Sequence, residues 1–311
     1  MKRRYCILNE RTGKWGFIDE LGNICIEPTY DGANRFSEGL SAVKIGGQWG
    51  YIDEDGQVVI PPSFEEAGEF VEGIAKVSHE TLVGYIDRTG TWTLRPNFVD
   101  GKHFANGLAP VKIGTKWTFV NRFGMILSQP TFDIAYPFSE GLANVSIEEK
   151  WGYLRPDGTY GISPRFDHAL PYSEGLAPVE VRGLWGYVSL TGEIQIEPRF
   201  EKAVYFSEKV APVRERQKWG YINSAGQYII DARFEHVNPF KEGLAGVRAI
   251  GEEKCGYIAH SGEWAIPPQF RDVRDFEGEL AFVFFESGIA YINRTGIPVW
   301  RSTSGSRCWS G

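Results

Sequence analysis

Cysteine, histidine and methionine are scarce in this chain, and its charges form no runs of one sign. Four cysteines, Cys6, Cys25, Cys255 and Cys308, are scattered over 311 residues with no CxxC spacing. That excludes a disulfide framework and a zinc ribbon and leaves buried or incidental thiols in a reducing compartment. Five histidines, His79, His103, His168, His236 and His260, are too few and too scattered for a metal ligand set. There is no HExxH, no Gly-x-Ser-x-Gly and no Gly-rich phosphate loop. No apolar run approaches the ~20 residues of a membrane helix, and the apolar stretch after the basic start ends at Leu8, so no signal peptide is expected. The net charge of -7 comes from interspersed acids and bases, which argues against nucleic acid or anionic lipid as partner. These absences lead us to expect a cytoplasmic protein that is not an enzyme and needs no metal or cofactor.

What is abundant is glycine, tryptophan and the other aromatics, and they recur in register. A Trp-Gly pair followed by an aromatic and an aliphatic residue recurs, its Trp slot falling at Trp15, Trp49, Val83, Trp117, Trp151, Trp185, Trp219, Cys255 and Ile289, with Val83, Cys255 and Ile289 replacing the Trp and Thr118 and Ala290 replacing the Gly. The step is 34 residues throughout except between 219 and 255, where it is 36, so the chain is nine copies of one unit. No linker interrupts the array, and a single domain over residues 1–300 is expected, with residues 301–311 as a flexible tail.

Counting from the Trp slot, position +7 is glycine in every copy: Gly22, Gly56, Gly90, Gly124, Gly158, Gly192, Gly226, Gly262 and Gly296. A position that never takes a side chain predicts a hairpin turn with positive φ between two antiparallel strands. Pro28, Pro62, Pro96, Pro130, Pro164, Pro198 and Pro268 at +13 are expected to end the second strand. Next comes a connector with aromatics six apart, as in Phe64 and Phe70 or Phe132 and Phe138. Its three-residue spacing reads as a compact loop, with one helical turn or a very short fourth strand as the alternatives. Leu-Ala-x-Val then forms a third strand that pairs back on the next Trp-Gly. Each unit is thus expected to be a three-stranded antiparallel meander plus a loop. It cannot bury its own rings, so stacked neighbours must share them in a seam, with the Trp ring as the filler.

These residues resemble the WG-repeat family, also called the KWG repeat. The resemblance rests on runs such as Glu140-Gly-Leu-Ala-Asn-Val followed by Lys150-Trp-Gly-Tyr, and it covers nearly the whole chain. It implies bacterial proteins of variable repeat number that mediate protein interactions. For architecture we expect an all-β array stacked as an open twisted β-solenoid, because three strands in 34 residues fall short of a propeller blade; a fourth strand would favour a closed β-propeller instead.

Two acidic columns recur, Asp31, Glu65, Asp133, Asp167, Glu201 and Glu235 at +16, and Glu38, Glu72, Glu140, Glu174, Glu208 and Glu242 at +23. One reading is a calcium or polycation ladder. The other, which we favour, is that each carboxylate accepts backbone N–H groups in a neighbouring turn. Function is then left to positions that vary between copies, +17, +22 and +30 to +33, which should line one face. Examples are Arg35, Lys44, Glu66, Glu69, Lys102, His168, Arg182, Arg214, Arg216 and His236. The expected function is a scaffold for a protein or peptide partner. The alternative is a glycan or small-molecule module whose exposed aromatics stack on the ligand; buried Trp rings would favour the scaffold.

Overall fold

The structure, a computed structural model, describes residues 3–129 and 131–302. Its described residues form β-strands and turns with no helix. The chain divides into two compact units, Met1–Arg165 and Phe166–Gly311. Arg301 closes the last strand, Pro298–Arg301, and the rest of the expected tail lies outside the described residues.

All nine glycines at +7 have the predicted conformation, with φ between 78° and 90°. The turn is built by the residue at +4. In the second copy the Asp53 carboxylate accepts the N–H groups of Asp55 and Gln57, and Gly56 N–H closes back on the Asp53 carbonyl. This arrangement, a turn followed by one left-handed residue, needs glycine at that place. The other hairpin, between the Leu-Ala and Trp-Gly strands, is a two-residue turn with positive φ at both positions, as at Gly46 and Gly47 or Glu80 and Thr81.

The connector is a fourth strand, which corrects the three-strand unit. In the second sheet the strands Gly32–Ser37, Leu40–Ile45, Gln48–Asp53 and Val58–Phe64 pair antiparallel in chain order. Further sheets follow on the same plan, and the first, Tyr5–Asn9, Lys14–Ile18 and Ile24–Tyr30, contains three strands. The aromatic spacing misled because Phe64 and Phe70 belong to different sheets: Phe64 ends one, and Phe70 lies in the connector strand Glu66–Val71 of the next. In one place the two run on without a break, Tyr228–Val237, joining two sheets into one of seven strands.

Nor does the +13 proline end its strand. Pro28 and Pro62 lie inside Ile24–Tyr30 and Val58–Phe64. Each is on the sheet's open edge, where a missing N–H costs no ladder bond. Pro130 lies outside the described residues.

The Trp-Gly glycine has a separate reason. Between the Trp49–Phe64 and Tyr51–Ile60 pairs the edge strand bulges, and its backbone presses on Gly50. A Cβ there would sit 2.5 Å from the Ile60 carbonyl oxygen and 2.7 Å from Pro62 N. The two departures obey the same geometry. Where Thr118 replaces glycine, its hydroxyl donates to the Ser128 carbonyl at 2.7 Å, and the edge strand is reduced to isolated bridges at Phe132 and Ile126. Where Ala290 replaces it, the bulge is gone at that point and Ala290 pairs regularly with Arg301. The two extra residues of the eighth copy fall in the hairpin turn before Cys255.

Most of the seam between sheets is Tyr and Phe rather than Trp. Tyr51 packs against Phe70 of the following sheet with ring centroids 4.8 Å apart, and Tyr187 does the same with Phe206 at 5.0 Å. The tyrosine hydroxyls complete the seam: those of Tyr51, Tyr85, Tyr187, Tyr221 and Tyr257 donate to connector carbonyls, at Gly68, Lys102, Val204, Asn238 and Arg274, over 2.7–2.8 Å.

Candidate interaction surface

The positions that define the repeat are used up in holding it together. In the +23 column the Glu72 carboxylate reaches the next repeat and accepts the N–H groups of Asn106 and Gly107 at 2.8 and 2.9 Å. Glu38, Glu174, Glu208 and Glu242 make the equivalent bonds to Gly73, Lys209, Gly243 and Gly278. The turn served is the next repeat's rather than the residue's own. The +22 serine works the same joint from the other side: Ser37, Ser173 and Ser207 donate to the carbonyls of Phe70, Phe206 and Phe240 at 2.6 Å. Position +22 therefore belongs to this joint and not to the variable row.

The +16 column caps the other hairpin. Asp31 accepts Gly46 N–H at 2.9 Å and pairs with Lys14, which holds its carboxyl below the usual range. Glu65 accepts Thr81 N–H, Asp133 accepts Glu148 N–H, and Asp167 accepts Arg182 N–H. In both columns the carboxylates bond backbone N–H groups, as favoured.

The variable positions divide into two groups. Lys44, Glu66, His168, Arg182, Arg214, Arg216 and His236 lie at the hairpin-turn end of their sheets. The register places +17 opposite +29 and +29 opposite the Trp slot: Gly32 faces Lys44 and Lys44 faces Trp49; Glu66 faces Ser78; His168 faces Glu180 and Glu180 faces Trp185; His236 faces Arg248. Arg182 and Arg216 sit in the turns themselves, both with positive φ. Arg35, Glu69 and Lys102 instead ride on the connector, and Arg35 and Glu69 form an exposed ion pair at 3.3 Å.

The Trp rings lie beneath this end. Trp117, Trp151 and Trp185 are buried, and Trp15, Trp49 and Trp219 half-buried. The slots that lost Trp hold buried Val83 and Cys255 and half-buried Ile289. Cations and aromatics from the connectors cover the rings. Lys102 Nζ is 3.4 Å from the Tyr136 centroid and 5.5 Å from that of Trp117, and burial lowers its pKa. His168 packs against Trp185 at 5.5 Å, and burial likewise lowers its pKa.

The model of the WG-containing repeat matches residues 15–49, 49–80, 84–117, 117–151, 151–185, 185–219, 219–249 and 256–288. The chain belongs to the WG-repeat family. No curated protein matches the sequence. Among solved structures, one described as the crystal structure of the eukaryotic initiation factor is similar over 98% of this chain and 97% of its own, with a TM-score of 0.70 and 11% identity. Another, dihydro-heme d1 dehydrogenase NirN in complex with DHE, is similar over 86% and 73%, with a TM-score of 0.51 and 11% identity. At such identity the likeness concerns the fold alone. No helix among the described residues is long and apolar enough to cross a membrane.

The sequence reading passed over two residues of this surface. Lys202 occupies the same +17 column as His168 and His236, and Arg248 the same +29 column as Lys44 and Arg214. The column itself was the available signal.

Proposed function

We propose that this WG-repeat protein is a non-catalytic, cytoplasmic scaffold that binds a protein or peptide partner along the hairpin-turn ends of its sheets. One observation carries the reading. The recurring Glu, Ser, Asp and Tyr groups bond to the fold itself, while the residues that change from copy to copy stand in cross-strand rows at one end of consecutive sheets. Rows of this kind suit an extended partner.

The burial of the Trp rings supports the scaffold over a glycan-stacking module, and so does the Lys102 ammonium that occupies a face of Tyr136. Affinity capture from native lysate tests the reading. A partner retained by the wild type should be lost on combined Ala replacement of His168, Arg214, Arg216 and His236 with the fold intact; unchanged capture would reject the surface.

Each full unit has the four strands of a propeller blade, so the fourth strand that would favour a closed β-propeller over the open solenoid is present. Solution scattering separates the two. A compact chain of this length has a radius of gyration of roughly 20 Å, whereas an open stack of layers about 10 Å apart would be on the order of 80 Å long.

A further inference from the structure

Residues 81–132 contain six lysines and arginines, two aspartates and no glutamate, in a chain whose net charge is -7. The average that argues against an anionic partner therefore conceals one basic stretch. It covers the third copy and the first half of the fourth, and there the fourth copy departs from the repeat. Its glycine-turn hairpin, at the opposite end of the sheet from the variable rows, has Phe123 at +6 and Met125 at +8. No other copy is apolar at both positions: the second has Asp55 and Gln57, the third Thr89 and Thr91, the fifth Asp157 and Thr159.

The folded turn presents these side chains to solvent. The Asn121 amide oxygen accepts the N–H groups of Phe123 and Met125, and Gly124 N–H closes on the Asn121 carbonyl, so the apolar side chains are held outward on an ordered turn. Phe123 is 79% exposed, Met125 62% and Ile126 41%. An exposed apolar patch of this kind marks an interaction site. Arginines surround it. Arg122 is exposed in the turn itself. Leu94 of the preceding sheet packs beneath Gly124, where a Cβ would meet it at 3.6 Å, and so sets the exposed Arg95 at the same rim. The preceding tip carries Arg88 beside Asp87. On the other side Leu127 lies beneath Gly158 and brings up the next tip, with Arg155 and Asp157. The Asp157 carboxylate is turned into its own loop, where it accepts the Thr159 N–H and hydroxyl. Position +4, an aspartate in the first three copies, is here the neutral Asn121.

We propose that this tip docks on an anionic lipid surface, with Phe123, Met125 and Ile126 entering the headgroup boundary and Arg95 and Arg122 lying against lipid phosphates. A convex apolar tip needs a surface that yields around it, and the headgroup boundary of a bilayer does. Arginine supplies the complementary charge and bonds phosphate oxygens through two N–H groups at once. A second copy docked tip to tip would instead set Arg122 against its own image, and like charges so placed are unfavourable. The inference goes beyond the scaffold reading and uses none of its residues.

The test is co-flotation of the full-length protein with vesicles of phosphatidylcholine alone and of an equal mixture of phosphatidylcholine and phosphatidylglycerol, at low and at raised sodium chloride. Binding to the mixed vesicles that falls with salt is expected. Phe123→Ser, and independently Met125→Ser, should weaken it about tenfold through lost apolar burial, and Arg122→Gln and Arg95→Gln about fivefold each. Leu21→Ser is the control. Leu21 holds the same +6 place and is 78% exposed, but Asp19 and Glu20 stand beside it, and its replacement should leave binding unchanged. Each replaced residue is exposed, so urea midpoints equal to that of the wild type are expected and separate lost binding from lost fold. Absence of binding to the mixed vesicles, binding as strong to phosphatidylcholine alone, or equal weakening by Leu21→Ser would overturn the proposal. So would a sedimentation mass that drops from dimer to monomer on Phe123→Ser, which would assign the tip to a second copy. The lysate capture described above reads other residues, so either idea can fail without the other.

Discussion

At the scale of single residues, the repeat signature is a list of places where the backbone leaves no choice. Gly50 is glycine because a neighbouring strand's backbone occupies the space of its Cβ. Gly50→Ala should therefore cost about 3 kcal/mol, as overpacking against an unyielding wall does, and the shift in urea midpoint will measure it. The reverse change at the last copy, Ala290→Gly, meets a regularly paired strand and should cost only about 0.5–1 kcal/mol in chain entropy. Equal costs at the two positions would mean that the bulge is not what selects glycine. The +23 glutamates show the opposite trade. Glu72 holds a φ of 53°, a conformation that costs a side-chain-bearing residue about 1–2 kcal/mol. Its carboxylate offsets that strain by bonding two N–H groups of the next repeat. Glu72→Gln keeps the shape and removes the charge, and we expect a loss of about 1 kcal/mol at this exposed joint.

At the scale of elements, the connector strand holds neighbouring sheets together. It pairs with its own sheet by ladder bonds and accepts a tyrosine hydroxyl from the sheet before it. Tyr51→Phe deletes only that hydroxyl and should destabilise by about 1 kcal/mol. Ring packing should survive, because Phe119 stands in the same slot and packs on Phe138 at 5.1 Å. A midpoint unchanged within error would show that the hydroxyl bond is not part of the joint. This element was also the least legible in the sequence. Its aromatics looked like one motif because they are close along the chain, yet the sheet boundary runs between them, and only pairing partners reveal that. The hairpins were legible for the converse reason: a turn is a local structure, and its glycine reports on the four or five residues around it.

At the scale of the whole molecule, stability should depend on a set of buried phenols. Burial raises the pKa of Tyr51, Tyr85, Tyr187, Tyr221 and Tyr257 well above the ordinary value of 10, and that of Tyr228 to about 12. The folded state therefore keeps protons that the unfolded state releases above pH 10. Below pH 10 both states are protonated and these groups have no pH dependence; above it the unfolded state is favoured by about 1 kcal/mol per buried ring over the first pH unit. Urea midpoints at pH 8 and pH 11 should differ accordingly, and a midpoint flat to pH 11 would show that the tyrosine seam is open to water.

The sequence by itself determined the family, the all-β class, the copy number and the place of every +7 turn, because each is written in spacing or in local backbone geometry. It also pointed to positions that vary between copies, although one of them, +22, belongs to the joint between repeats. The tertiary structure decided where one sheet stops and the next begins, which carboxylates serve which turn, and that the exposed Phe123 tip has Arg95 of the preceding sheet beside it. Those facts depend on strand register and on contacts between residues many positions apart, and a one-dimensional period contains neither.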